Sequence, residues 1–283
     1  MINLNSNRTN NPRGTAILNP LLGFYRGFIG GRSFPFPIRD ESPSEPRELS
    51  RPVIPSASKQ RRVAHACKMA PVYEVTYFDI RGFAEMIRLL LIDQGIEFTE
   101  KRIPMEDKEA WLSIKDSFTF GQVPCLKEGD KEIVQTGTIM RHLARKHNLY
   151  GDSEDDFVHA DLFFDGVRDL RAKYGNFIYN NYDVPGKRQE FLEEIAPTAL
   201  AKLESLLKTR QNGEHFVLGE KISYADYNLF EELDVLLILD AHTLDKFPIL
   251  KAFHKRMSER PLLKDYVQKR NASGMWISGN GKQ

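Results

Sequence analysis

Between Val72 and His147 the apolar residues change period from two to about 3.6 and back, whereas beyond Gly151 only the helical period recurs. That switch restricts the chain to an α/β unit followed by an all-α unit. Val72 to Phe78 alternates, with Tyr73, Val75 and Tyr77 on one side, as a strand does. A turn at Gly82 follows, and then a helical stripe of Ala84, Ile87 and Leu91, flanked by Met86 and Leu90, that stops at Gly95. Ile96 to Ile103 reads as a second strand, completing βαβ, and Lys108 to Lys115 as a short helix. Val123 to Lys127 and Lys131 to Val134 predict two short strands split by Glu128-Gly129-Asp130, and a helix from Thr136 to His147 closes the unit. The pattern predicts a thioredoxin-like βαβ-ββα domain over residues 69–150. Ala160, Phe163, Phe164, Val167, Leu170, Tyr174, Phe177 and Ile178 then step by three and four along a long helix. Further stripes over Phe191 to Leu207, Tyr227 to Leu239 and Ile249 to Met257 predict an all-helical domain over 151–283.

The chain ahead of Met69 differs in kind. Residues 1–68 hold 11 Lys/Arg and 4 Asp/Glu, a charge of +7, with 8 of the 15 prolines and no lasting apolar period. They predict a disordered extension. Residues 1–39 contain five arginines, Asn and Ser but no acid, which would suit a mitochondrial targeting peptide; without an amphipathic helix, an upstream stretch of no function is the preferred reading. The net charge of +1 over 283 residues gives no pull towards nucleic acid. Cys67 and Cys125 are too few for a disulfide framework or a paired-cysteine metal site. The most apolar stretch, Met86 to Ile92, contains Arg88 and falls short of the roughly 20 residues a membrane span needs. A cytoplasmic protein with no membrane span is expected.

Six stretches carry a resemblance: Tyr77-Phe78-Asp79-Ile80-Arg81-Gly82, Gly121-Gln122-Val123-Pro124, Val134-Gln135-Thr136, Asp165 to Arg171, Ser223 to Leu229, and Gly279-Asn280-Gly281-Lys282-Gln283. In their order and spacing, Met69 to Gln283 resembles the cytosolic glutathione transferases, and within them the pi class. The resemblance implies a homodimeric enzyme that conjugates the glutathione thiolate to small hydrophobic electrophiles, with glutathione as co-substrate and no cofactor or metal.

The chemistry such an enzyme needs can be set beside these residues. A thiol with a pKa of about 8.5 is a poor nucleophile at neutral pH, so its anion must be stabilised. A tyrosine hydroxyl stays protonated and can donate to the sulfur. Tyr77, at the end of the first strand, is a packing residue on position alone; the family motif makes it the catalytic donor. By the same resemblance Pro124 is a cis proline whose bend presents the Val123 backbone to the cysteinyl moiety, although an edge-strand proline is ordinarily trans. Gln122 would meet the γ-glutamyl end or the peptide backbone; Gln135 and Thr136 sit where a strand meets a helix, so Thr136 would bind the γ-glutamyl carboxylate at the helix N-terminus, where it could also be a simple N-cap. Lys115 and Trp111 would take the glycine carboxylate; otherwise they are a helix lysine and a half-buried tryptophan. Relatives carry an arginine directed at that carboxylate where this chain has Phe83, while Arg81 is assigned to structural ion pairing. Asp161, Asp165 and Asp169 form a carboxylate row that reads as a solvated face; by resemblance Asp169 reaches the partner subunit's glutathione. Phe120 matches the aromatic key of the dimer. Phe78 and Tyr179 would line the electrophile site, with Tyr174 in the core. Ser223 and Asp226 have capping-box spacing, and Cys125 reads as a buried inert thiol.

Two other classes of function compete. A non-enzymatic carrier or structural protein could keep this scaffold, but Tyr77 with Gln135 and Thr136 argues for the enzyme. A thiol-disulfide enzyme would want a cysteine between Tyr77 and Gly82, where none stands.

Overall fold

The central strand β1 (Tyr73–Phe78) is hydrogen-bonded on both edges, which is why Tyr73, Val75, Thr76 and Tyr77 are all buried rather than every second residue. On one side it pairs in parallel with β2 (Phe98–Ile103), Tyr73 facing Phe98 and Phe78 facing Ile103. On the other it pairs antiparallel with β3 (Cys125–Glu128), Thr76 facing Cys125, and β3 pairs antiparallel with β4 (Lys131–Val134). The sheet order β2-β1-β3-β4, with α1 (Glu85–Asp93) between β1 and β2, is the thioredoxin-like arrangement. The short α2 (Lys108–Lys115) follows β2, and α3 (Thr136–Lys146) closes the unit. This computed structural model describes residues 73–282; the expectations for the 1–68 extension, Cys67, the Met69 start and Gln283 lie outside the described residues.

The remainder is helical. The long α4 (Glu154–Asn176) is capped by Ser153, whose side chain accepts the Asp156 N–H. The apolar stripe continues the long helix through Phe177 and Ile178, but after Asn176 the chain widens into a π-helical turn over Phe177–Asn181. The single helix expected from Phe191 to Leu207 is likewise divided: α5 (Lys187–Glu190) leads into a second π turn, Phe191–Ile195, and only then into α6 (Ala196–Lys208). A period of 3.6 and one of slightly more look alike over five residues, so the apolar stripe alone cannot separate them. The central α7 (Tyr224–Leu239) opens on the Ser223–Asp226 capping box and is buried on nearly every face. Then come α8 (Pro248–Ser258) and α9 (Pro261–Ser273). The sequence reading missed α9, whose buried residues are only Leu263, Val267 and Arg270.

Arg270 explains why so polar a helix docks. It reaches Glu85 on α1 (3.0 Å) and Asp234 on α7 (2.5 Å). Arg81 binds Glu231 (2.7 Å) and Asp234 (2.8 Å), matching the structural pairing expected of it, and Arg88 binds Glu85 and Glu100. These buried charges tie the β1–α1 region to α7 and α9. Removing one member of such a lattice costs roughly 3–5 kcal/mol, since its partners stay buried and unpaired.

Candidate active site

Strand register gathers the candidate residues at one end of the sheet. Because Thr76 faces Cys125 and Cys125 faces Val134, the chain just before β3, Val123-Pro124, runs beside Tyr77 and Phe78, and Gln135-Thr136 follows alongside. The Val123–Pro124 peptide is cis. Gln135 has φ +70°, a conformation side chains rarely adopt, and it turns the chain from β4 directly into α3.

Tyr77 is 3% exposed, and the Phe83 N–H donates to its Oη at 3.0 Å. The acceptor side of the hydroxyl is therefore occupied and its hydrogen is left to give away. Burial pushes the Tyr77 pKa above its ordinary value of 10.0, only partly offset by that N–H, so the hydroxyl stays protonated. Gly82 makes the approach possible: with φ +48°, a Cβ there would lie 2.4 Å from Tyr77 Oη. Arg171 on α4 donates to the Gly82 carbonyl at 3.0 Å and to Glu232 at 3.2 Å. From the far end of the chain, the Trp276 and Ile277 carbonyls accept the Arg81 and Gly82 N–H groups at 2.8 and 3.1 Å.

Thr136 is buried, and its hydroxyl lies 3.5 Å from the Phe83 carbonyl. Position 83 thus sits at the N-terminus of α3, where the γ-glutamyl carboxylate is expected, rather than at the glycine end to which sequence reasoning assigned it. The reason is local: the turn at Gly82 carries the chain towards α3 and away from α2. Trp111 on α2 sets its ring against Phe78 at 5.1 Å and near Phe118 at 6.3 Å, forming an aromatic wall. The Lys115 side chain passes over Gly121, next to half-buried Gln122.

Tyr179, in the π turn after α4, accepts the Gly279 N–H at 2.9 Å. The Asn280 side chain donates to the Ile178 carbonyl at 2.9 Å, and Lys282 pairs with Asp183, so the last described residues strap this turn. Asp169 on α4 is exposed, and Phe120, at 57%, is the most exposed large apolar side chain among the described residues. Asp161 and Asp165 are not merely solvated: Asp161 binds Arg141, Tyr150 and Tyr224, and Asp165 binds Arg141. Tyr174 and Cys125 are buried, and burial pushes the Cys125 thiol to about 11, which makes it a poor nucleophile. Among the described residues no group of three or more His, Cys, Asp or Glu could hold a metal, and no helix is long and apolar enough to cross a membrane.

Sequence reasoning missed Arg168, Arg171 and the strap. Arg171 left a signal, because it stands four residues after Val167 and three before Tyr174, inside the apolar stripe. An arginine there has to find a buried acceptor. The carbonyls of Trp276 and Ile277 left none, since any residue offers a carbonyl.

Residues 73–145 match the family model "Glutathione S-transferase, N-terminal domain" and residues 168–270 the model "Glutathione S-transferase, C-terminal domain". A glutathione S-transferase of Dirofilaria immitis is 56% identical over 211 residues, 75% of this chain and 99% of its own length. Glutathione S-transferase P of Caenorhabditis elegans is 50% identical over 210 residues, 74% of this chain and 99% of its own. The solved pi-class glutathione S-transferase of Onchocerca volvulus superposes with a TM-score of 0.72 at 54% identity, covering 76% of this chain and all of that one. With both family domains in order and 54% identity to a solved pi-class relative over the aligned residues, the chain belongs to the glutathione S-transferase family, in its pi class.

Proposed function

We propose that this glutathione transferase adds the glutathione thiolate to small hydrophobic electrophiles, with Tyr77 stabilising the anion. The observation that carries the reading is the Phe83 N–H on Tyr77 Oη, which leaves the hydroxyl hydrogen as a donor. The thiol proton passes to solvent, the sulfur lone pair forms the new C–S bond, and an aryl halide's leaving group departs with its bonding pair. A donor aimed at the sulfur lowers the barrier to forming the anion without itself ionising. Around it, Val123 ahead of the cis Pro124 pairs with the cysteinyl backbone, Gln122 meets the γ-glutamyl end or the peptide backbone, Gln135 and Thr136 take the γ-glutamyl end, and Lys115 and Trp111 the glycine end. Phe78 and Tyr179 face the electrophile. Because Tyr179 Oη accepts from Gly279, its hydrogen too is left to meet the oxyanion that forms when an epoxide or enone is attacked. Phe120 would anchor a homodimer in which Asp169 meets the glutamyl ammonium bound by the partner. A cytoplasmic location fits these chemistries. The carrier reading gains no support from relatives that are named as transferases.

Tyr77→Phe tests the reading, since it removes the hydroxyl and keeps the ring. Conjugation of a generic aryl halide should fall by roughly two to three orders of magnitude while glutathione binding changes little. Unaltered turnover, with chemistry shown to be rate-limiting, would sink the assignment.

A further inference from the structure

The γ-glutamyl end of glutathione carries a carboxylate, and beside Thr136 position 83 offers it only a phenyl ring. A guanidinium arrives from the opposite side. Arg168 on α4 lies over the Phe83 ring, 4.6 Å from its centroid. A guanidinium stacked on an aromatic face keeps its N–H groups in its own plane, free at the edge for a bidentate acceptor. Yet Arg168 Nη1 is shut off from solvent and has no hydrogen-bond partner. Of the acids around it, Asp165 binds Arg141 at 3.0 Å, and Glu232 binds Arg171 at 3.2 Å through one oxygen while its other, Oε1, is buried without a partner and forms no bond to Arg168. Burial, with Arg171 adding its own charge, lowers the Arg168 pKa, as befits a cation short of a counter-charge. A dry, unsatisfied charged donor is costly and calls for an explanation. We infer that Arg168 Nη1 binds the γ-glutamyl carboxylate of glutathione opposite Thr136, so that α4 supplies the charge missing at position 83. The inference rests on the glutathione reading above, and it makes Arg168 a specificity residue for that carboxylate.

Calorimetry on the full-length chain separates the possibilities, using glutathione and an analogue whose γ-glutamyl α-carboxylate is replaced by hydrogen (4-aminobutyryl-Cys-Gly). Arg168→Gln should raise the Kd for glutathione roughly ten- to a hundredfold, the range of a charge-assisted hydrogen bond, while both proteins bind the analogue alike. Adding Phe83→Arg to that variant should restore most of the loss by returning a guanidinium from the sheet side. Wild-type affinity for glutathione in Arg168→Gln, or an equal loss for the analogue, would overturn the inference. If Arg168→Gln melts early, Arg168→Lys keeps the charge without the fork; a several-fold loss confined to glutathione is then expected, and its absence counts against the inference in the same way. A wild-type chain that binds no glutathione would overturn the underlying reading instead, and this one with it.

Discussion

Gly82→Ala is a severe test of how Tyr77 is held. The residue has φ +48°, and an added Cβ would meet Tyr77 Oη at 2.4 Å, Cε1 at 2.6 Å and Cζ at 2.9 Å. A left-handed conformation costs a residue with a Cβ about 1–2 kcal/mol. Forcing a methyl group into closed packing adds roughly 1–3 kcal/mol. The tyrosine has little room to retreat, since its hydroxyl is fixed by the Phe83 N–H and its ring lies 5.8 Å from that of Phe78. The alanine variant should therefore lose about 2–5 kcal/mol in urea unfolding. Relieving a 2.4 Å contact also moves the hydroxyl by about 1 Å, and a displacement of that size costs on the order of a hundredfold in turnover. Conjugation kinetics with glutathione and an aryl halide give the second readout. Both losses are expected together, in contrast to Tyr77→Phe, which should affect turnover chiefly. A Gly82→Ala protein with wild-type stability and turnover would show that the turn does not clamp the tyrosine.

Burial holds the pKa values of His147 and His159 below their ordinary value near 6.5. Between the depressed and ordinary values the unfolded chain binds more protons than the folded one, so stability is full above about pH 6.5 and falls as the pH drops towards the folded values. Because buried Asp226 and Glu232, raised to about 6 and about 7, act in the opposite sense, the histidine part is read as the difference in urea midpoints from pH 8 to 5 between wild type and a His147→Gln, His159→Phe double variant, which should lose less stability towards low pH; identical profiles contradict it. If the proposed dimer is anchored by Phe120, Phe120→Ala should weaken it by about 2–4 kcal/mol, as loss of an aromatic anchor does. Asp169→Asn should leave the dimer intact in sedimentation and raise the KM for glutathione; a wild-type KM, or a Phe120→Ala dimer that persists at nanomolar concentration, would mean the site is not shared.

What could be read from the sequence follows from how local each signal is. The strand of Tyr73, Val75 and Tyr77, the stripe through Ile87 and Leu91, and the Ser223–Asp226 box are written within a few adjacent residues, and the structure has all three. The division of the chain into a sheet unit and a helical unit came from period alone. Helix α9 escaped because Arg270 holds it by charge, and a pairing with Glu85 depends on residues 185 positions apart. Tyr77 was legible only through its motif; nothing local separates it from Tyr73, another buried strand tyrosine. The neighbourhood of Phe83 and Thr136, 53 positions on, was not legible because it is made by the Phe83 backbone rather than its side chain. Arg168 stood only inside the Asp165 to Arg171 motif with no role of its own, since its lack of a partner is a property of three dimensions.

The carbonyls of Trp276 and Ile277 that cap the Arg81 and Gly82 N–H groups have a consequence for synthesis. A ribosome adding about 5–20 residues per second makes the Tyr77 turn roughly 10–40 s before the residues that complete it. For most of that interval Glu231 and Asp234 do not yet exist, and Arg270 comes only near its end, so Arg81 waits for its counter-ions in α7 and Glu85 for its bond to α9. The apolar side chains of α1 that pack against α7 and α9 are equally uncovered. The sheet unit thus carries an uncovered apolar face until α7 and α9 arrive, and the turn behind Tyr77 gains its last hydrogen bonds only when translation has passed Ile277.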